Sequence, residues 1–230
     1  MKDKVNVQVT TPEFRVSFPV VWEAKAMNDQ PGAKKKFSLV MLFDKTDPKV
    51  LAGLKEMEAA VAQVLNAKFG DPTKWPRLPN GQLAFRLPFR NGAEKTYDGY
   101  GPNIIFVSAS TEQKPGLVFP WPGPDGKTPA PLTDPKDFYA GCFARATVNP
   151  YYYNKAGNKG VAFGLRNMQK LRDGDAFSGK NAAEKDFDAI ETPPAALDAI
   201  GGAAAGSQQG ATAAAQPAAA PANTGLGLGL

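Results

Sequence analysis

The chain contains several segments of β-strand type and one clear segment of helical type, and this proportion restricts it to a β-rich fold. Segments that alternate apolar and polar residues, or that are rich in β-branched and aromatic residues, are typical of strands. Such segments occupy 4–9, 13–23, 36–43, 104–110, 138–153 and 161–171. The last two flank 154–160, which contains two glycines and is predicted to form a hairpin turn.

The same alternation predicts which side chains of the strands point into the core. In segment 13–23 the core face is expected to hold Phe14, Val16, Phe18 and Val20. Pro19 has no N–H to donate, so it is expected to mark a sheet edge or a bulge. The phenylalanines that alternation assigns to the core are Phe14, Phe18, Phe37, Phe43, Phe106, Phe138 and Phe163.

One helix is predicted between Asp47 and Gly70. Asp47 is a favourable N-cap and Pro48 suits the first helical position. Apolar residues then recur at steps of three and four, which is the spacing of one helix face. They are Val50, Leu54, Met57, Val61 and Val64 or Leu65. Gly70 is a natural stop, so the helix is expected to run for about six turns and to pack one face on the sheet.

The fold class that these segments predict is all-β dominated (β+α), an OB-like Greek-key barrel with one long helix and extended loops. The extended loops are expected at 71–103 and 112–136, which are rich in proline and glycine. Residues 1–180 are expected to form this domain, and residues 181–200 an acidic linker or partner segment. Residues 201–230 are almost entirely Ala, Gly, Pro, Gln, Ser, Thr and Leu, and are expected to form a low-complexity disordered tail.

Positive charge is concentrated in the expected domain. Residues 181–230 contain one lysine and five acidic residues, a net charge of −4, so residues 1–180 carry +9 while the whole chain carries +5. A basic domain attracts polyanions by Coulomb forces and by counterion release. The sequence contains neither a signal-peptide pattern nor an apolar run long enough to span a bilayer, so no membrane association is expected.

The residue types needed for common catalytic sites are scarce. The chain has no histidine, and therefore lacks the commonest general base and metal ligand. Its single cysteine, Cys142, excludes an intrachain disulfide and a zinc cluster. The sequence GPDGKT at 123–128 resembles the end of a phosphate-binding loop, but Trp121 stands where that motif requires glycine.

Two pairs of acidic residues remain as candidates for a divalent ion, Asp134 with Asp137 and Asp173 with Asp175. Both pairs lie in turn-like sequence beside proline or glycine, where capping and turn roles are expected instead. The sequence therefore predicts no enzymatic activity, no cofactor and no metal site.

Basic residues interleaved with aromatic residues are the strongest functional pattern in the chain. Binding of a single nucleic-acid strand requires cations for the phosphates and flat rings on which unpaired bases stack. The candidate contacts are Lys34, Lys35, Lys36, Trp75, Arg77, Arg86, Phe89, Arg90, Lys95, Tyr97, Tyr100, Arg145, Tyr152 and Arg166.

Structural roles compete with this interpretation at several of these positions. The three consecutive lysines also fit a solvated turn, and Trp75 and Trp121 could pin their loops to the domain. Tyr151, Tyr152 and Tyr153 cannot share one face, because successive side chains of a strand alternate. Either Tyr152, or Tyr151 together with Tyr153, must point outward or toward a partner.

Four stretches of the chain resemble a family of phage single-stranded DNA-binding proteins. They are TTPEFRVSFPVVWEAK at 10–25, KFSLVMLFDK at 36–45, LPFRNGAEKTYDGYGPNIIFVSAS at 87–110 and FYAGCFARATVNPYYYNKAGNKGVAFGLRNMQKLRDGDAFSG at 138–179. The resemblance covers roughly residues 9–192, and its last stretch is the most specific. It implies an OB-like fold and a role related to that of the single-strand binding protein of T7-like phages.

The resemblance implies sequence-independent binding and protection of single-stranded DNA during phage replication and recombination, in the cytoplasm of the infected bacterial host. The acidic segment 184–191 could recruit phage or host replication and recombination proteins, compete with DNA, or merely end the domain. A virion or scaffold assembly protein and a strand-annealing recombination factor are the alternative functions. The sequence leaves the oligomeric state open, a homo-oligomer included.

Overall fold

Five long strands and one long helix form the framework of the protein in a computed structural model, which describes residues 6–26, 33–155 and 157–177. The strands are β1 (Val9–Thr10), β2 (Phe14–Ala26), β3 (Lys35–Asp44), β4 (Arg90–Asn91), β5 (Ile104–Thr111), β6 (Gly116–Pro122), β7 (Pro129–Pro131), β8 (Phe143–Lys155) and β9 (Asn158–Arg172). The helix is α1 (Pro48–Phe69), and short 3₁₀ turns occupy Pro72–Lys74, Gly92–Glu94 and Pro135–Asp137.

Strands β2, β3, β5, β9 and β8 close into a barrel. β2 pairs with β3 and β3 with β5, both antiparallel, and β5 pairs in parallel with β9. β9 then pairs antiparallel with β8, and β8 returns to β2 through Phe14 and Ala144. This ring, with one parallel seam, is the five-stranded Greek-key arrangement of an OB-fold. The predicted fold class is therefore confirmed.

The proline-rich segment 112–136 is not a plain loop, contrary to the sequence-based expectation. It contains β6 and β7, and β6 pairs in parallel with β9 through Gly116 and Asn167. Prolines at both ends of β7 and within β6 interrupt the alternation by which a strand is recognised. The two strands form a hairpin that extends the sheet beyond the barrel.

Two other predicted strands have the wrong bounds. The strand expected at 4–9 is reduced to the two residues of β1, with residues 6–8 irregular and 1–5 outside the described part of the chain. The strand expected to begin at residue 138 begins at Phe143, because a 3₁₀ turn precedes it and Gly141 takes a φ of 111° that a strand cannot contain.

Helix α1 has the predicted bounds and caps. The side chain of Asp47 accepts a hydrogen bond from the backbone N–H of Lys49 at 2.8 Å, and Gly70 ends the helix. Its apolar face belongs to the hydrophobic core together with the inward side chains of the barrel strands. The buried residues of that face are Val50, Leu54, Met57, Ala60, Val61 and Leu65. Each fully buried side chain of the larger kinds contributes about 1.5–3 kcal/mol to folding.

The predicted core position of Phe18 is wrong. The pairing of β2 with β3 shifts register between Ser17 and Val20, so the bulge expected at Pro19 is confirmed. Within that bulge Phe18 has a φ of 46°, and its side chain turns outward with 53% of the residue exposed. Phe37 is half-buried, whereas the other five phenylalanines assigned to the core are buried.

The described residues all belong to one compact unit, Met1–Lys180. The predicted acidic segment 181–200 and tail 201–230 lie outside the described part of the chain. Of the helices that the structure describes, none is both long enough and apolar enough to cross a membrane.

Candidate nucleic-acid interface

Four aromatic rings form a ladder on the outer surface of the barrel, and we call them the aromatic cluster: Phe18, Tyr97, Tyr100 and Phe106. Consecutive rings make edge-to-face contacts, with centroids 5.2 Å apart for Phe18 and Tyr97, 5.7 Å for Tyr97 and Tyr100, and 5.4 Å for Tyr100 and Phe106. Phe18 and Tyr97 are 53% and 54% exposed, while Phe106, the innermost ring, is buried. The outer two rings are therefore available to a flat ligand.

Polar contacts fix the inner part of the aromatic cluster. The hydroxyl groups of Tyr100 and Ser17 lie 3.4 Å apart, and partial burial raises the pKa of Tyr100. The guanidinium of Arg90 lies 4.8 Å from the centre of the Phe106 ring and donates a hydrogen bond to Glu94 at 2.6 Å. This contact lowers the pKa of Glu94, so the pair stays charged at neutral pH.

The loop that carries Tyr97 and Tyr100 is supported by the chain that leaves the barrel after β9. We call residues 173–177 the strap. Phe177 donates a backbone hydrogen bond to Ala140, and its ring lies 4.2 Å from the guanidinium of Arg15. The tip of that ring contacts Gly99, which has a φ of 79°, and any Cβ added at Gly99 would collide with it. The strap thus fixes the position of the loop.

Small side chains surround the aromatic cluster on the outer face of β3 and β5. Leu39, Met41 and Phe43 of β3 point into the core, so the residues between them point outward. The outward residues pair across the two strands, Ser38 with Ser110 and Val40 with Ser108. A surface of serines and one valine leaves room for a ligand to lie close to the sheet.

The predicted lysines Lys34, Lys35 and Lys36 lie at the end of the β2–β3 hairpin where the connecting loop joins β3. Lys36 pairs with Lys25 and Lys35 with Ala26 across the hairpin. Lys34 forms a salt bridge of 3.1 Å with Glu112, which lowers the pKa of that carboxyl. OB-folds bind oligonucleotides on the face of their second and third strands and on the loops between strands 1–2 and 4–5. Lys34 lies in the first of those loops, and Lys35 and Lys36 begin the strand that follows it.

Two predicted contacts, Trp75 and Tyr152, are half-buried and packed against the hydrophobic core. The indole N–H of Trp75 is 3.2 Å from both the Asn66 side chain and the Gly70 carbonyl at the end of α1. The ring of Tyr152 packs edge-on against Phe69 at 5.3 Å and lies near Phe85. Both half-buried rings join α1 to the barrel, which is the structural role that the sequence left open for Trp75, and their contact with DNA stays a prediction.

The neighbouring predicted residues have mixed positions. Phe89 is half-buried against Phe163, and Arg77 donates a hydrogen bond to the carbonyl of Gly81 in its own loop. Arg86 is exposed, but its backbone bridges to Gly160 of β9. Arg90, Tyr97 and Tyr100 are the predicted residues that the structure brings together at the aromatic cluster, and Lys95 lies two residues before Tyr97 in the same loop.

Arg145 and Arg166 lie on another part of the barrel wall, exposed on β8 and β9. Three exposed rings are absent from the predicted contacts: Phe18, Tyr151 and Trp121, which are 53%, 39% and 53% exposed. A signal for Phe18 was present, since a bulge at Pro19 reverses the alternation on which its core assignment depended. Alternation across the tyrosine triplet also allowed Tyr151 to be the outward residue.

The motifs considered for phosphate and metal binding have structural roles. The carboxylate of Asp125 accepts hydrogen bonds from the backbone of Lys127 and Thr128, which closes the turn at 123–128. Asp134 caps a 3₁₀ turn, and Asp173 forms a salt bridge with the buried Lys170 at 2.7 Å. Among the residues that the structure describes, no three His, Cys, Asp or Glu side chains form a group suited to a metal ion.

Comparison with known proteins identifies relatives over most of the chain. The family model described as Enterobacter phage Enc34, ssDNA-binding protein, matches residues 7–197. A protein designated p50 of Acyrthosiphon pisum secondary endosymbiont phage 1 is 32% identical over 194 residues, which cover 82% of this chain and 93% of that protein.

Solved structures resemble the fold. The single-stranded DNA-binding protein from bacteriophage Enc34 in complex with ssDNA has a TM-score of 0.55 at 17% identity, over 74% of this chain and 89% of that chain. A C-terminal truncation of the same phage protein has a TM-score of 0.53 at 16% identity, over 74% of this chain and 87% of that one. At these identities the likeness concerns the fold.

Proposed function

The chain belongs to the family of the Enterobacter phage Enc34 single-stranded DNA-binding protein, and from this membership we propose how it works: it binds and protects single-stranded DNA without sequence preference during phage replication and recombination. The observation that carries the proposal is the pair of exposed rings, Phe18 and Tyr97, on the outer face of an OB-like barrel. Unpaired bases stack on such rings, and every base has a face that can do so.

The proposed site combines stacking with charge. Phe18 and Tyr97 take bases, and the serines of β3 and β5 let the sugar and phosphate chain approach the sheet. Lys35, Lys36 and Lys95 supply positive charge for phosphates, since none of the three forms a salt bridge within the described part of the chain. Rings and hydroxyl groups of this kind do not distinguish one base from another, which supports binding without sequence preference.

The remaining functional assignments are part of the same proposal. We propose that the chain acts by binding alone and catalyses no reaction. Residues 1–180 form the DNA-binding domain, and the acidic segment 184–191 recruits phage or host replication and recombination proteins. The protein acts in the cytoplasm of the infected bacterial host, where phage DNA is copied.

Fluorescence anisotropy with labelled oligo-dT and a duplex of equal length tests the proposal on the full-length protein. We expect submicromolar to micromolar binding of the single strand that weakens as salt rises, because each neutralised phosphate releases counterions. The duplex, whose bases are already stacked, should bind more weakly. Equal affinity for both forms, or no affinity for either, would contradict the proposal.

A further inference from the structure

A row of small and polar residues continues from the proposed site around the barrel. Val20, two residues after Phe18, pairs with Ser38. Ser38 pairs with Ser110, Ser110 with Gly164, and Gly164 with Asn149, so the row runs from β2 across β3, β5 and β9 to β8. A Cβ added at Gly164 would lie 2.8 Å from the Asn149 side chain, so a larger residue would block the row there. We call this row the belt.

The belt leads into a basic cavity of about 360 Å³. The polar side chains in its wall are Thr111, Gln113, Lys114, Asn149, Arg166 and Asn167. No carboxylate lines the cavity, and neither Lys114 nor Arg166 forms a salt bridge among the described residues. Lys34 and Arg90, by contrast, each form a salt bridge with a glutamate. The two cations of the cavity are therefore better placed to receive a phosphate.

A second pair of rings lies beyond the cavity, on the β6–β7 hairpin. Phe119 and Trp121 are stacked, with centroids 4.3 Å apart and an angle of 16° between the rings. Trp121 is 53% exposed, so one more flat ring could extend the stack. Gln169 links the β6 backbone that carries this pair to Arg145: its amide donates to the backbone carbonyl of Phe119 at 3.1 Å, and its oxygen accepts from the Arg145 guanidinium at 2.7 Å.

We propose that the bound strand extends from the aromatic cluster along the belt and ends at a second stacking site. Lys114 and Arg166 hold phosphates in the basic cavity, Arg145 holds a phosphate beside it, and a base stacks on Trp121. The inference rests on the proposed function and deepens it, because it assigns a second subsite on β6, β8 and β9. Three cations without a carboxylate favour a nucleic-acid strand over an apolar peptide at this surface.

Oligonucleotide length separates the two subsites. We would measure binding of oligo-dT of about 6 and about 16 nucleotides, which lie within the range that one OB-fold covers. Trp121→Ala should weaken binding of the longer strand by about 5- to 150-fold, and change binding of the shorter one by less than about twofold. Trp121→Tyr, which keeps a ring, should retain most of the affinity. Tyr97→Ala should weaken binding at both lengths.

The cations are tested by salt dependence. Replacing Lys114 and Arg166 together by alanine should reduce the slope of log K against log salt for the longer strand by about 1.4, that is 0.7 for each lost phosphate contact. Lys49→Ala with Lys55→Ala is the matched control, because it removes the same charge from exposed positions of α1 and should leave the slope unchanged.

The outcomes distinguish this inference from the proposed function. If the unaltered protein bound neither strand, the proposed function would fall. If it bound both strands and the Trp121 and Lys114/Arg166 variants behaved like the unaltered protein, only the second subsite would fall, and the surface would be left to a protein partner. An equal loss at both lengths in Trp121→Ala would also contradict an extension, because Trp121 would then belong to the first site.

Discussion

Tyr97 is the residue at which the proposed stacking is most directly testable. Its ring is 54% exposed, and among the described residues its hydroxyl makes no hydrogen bond. Tyr97→Ala should therefore weaken binding of single-stranded DNA by about 1–3 kcal/mol, while Tyr97→Phe should change it little. Phe18→Ala should give a loss of similar size. Anisotropy titrations check both, and an unchanged affinity in Tyr97→Ala would exclude that ring from the site.

Tyr152 and Tyr151 are neighbours that should respond in opposite ways. Tyr152 is packed against Phe69 and Phe85, so Tyr152→Ala should lower the free energy of unfolding by about 2 kcal/mol, less than the 3–5 kcal/mol lost at fully buried rings. Tyr151→Ala, at a residue 39% exposed, should change it by less than about 0.5 kcal/mol. Urea denaturation measures both. A loss of stability in Tyr151→Ala but not in Tyr152→Ala would show that Tyr151, and not Tyr152, is the packed ring.

Sequence alone located the helix and the barrel strands but misplaced individual rings. Helix α1 was predictable because its cap, its periodicity and its stop agree over 22 residues. Phe18 was assigned to the wrong face because the alternation was extended across the bulge expected at Pro19, and one bulge residue reverses the orientations that follow it in a strand. Trp75 and Tyr152 looked like ligands of a nucleic acid because composition cannot show which face of a loop or strand meets another element.

The strap is the element whose removal should act on the site without opening the barrel. Phe177→Ala removes the ring that lies against Gly99, and the loop with Tyr97 and Tyr100 loses its support. We expect single-stranded DNA affinity to fall several-fold, about 1 kcal/mol. In a double-mutant cycle with Tyr97→Ala the two losses should not add, because both act through the same ring. Additive losses would show that Phe177 does not position Tyr97.

The molecule as a whole should bind DNA with little dependence on pH near neutrality. The chain has no histidine, hydrogen bonds lower the pKa of Glu94 and Glu112, and burial raises the pKa of Tyr100. In model peptides carboxyl groups titrate near 4 and tyrosine and lysine near 10, and the shifts named here move these groups further from neutrality, so the dissociation constant should vary less than about twofold from pH 6 to 9. Titrations at constant ionic strength check this. A break near pH 6.5 would contradict it.

Unlike DNA binding near neutrality, the stability of the fold should depend on pH under acid conditions. Lys170 and Tyr139 lower the pKa of Asp173 through hydrogen bonds, so this carboxyl contributes stability above its unfolded-state pKa. That contribution is lost as the pH falls through the lower folded-state pKa, and the exposed position of the carboxylate keeps it small. The free energy of unfolding should therefore be lower at acid pH than at neutral or mildly alkaline pH.

Alternation along each barrel strand divides its residues into one set that packs the core and another that faces outward. In β3 the side chains of Leu39, Met41 and Phe43 are buried in the core, whereas the alternating residues Ser38 and Val40 point outward. Substituting the outward residues changes the surface that a ligand contacts and leaves the core packing of the strand unchanged. The ligand specificity of the barrel can thus be changed without changing its fold. Protein design can do so by substituting the outward residues one at a time.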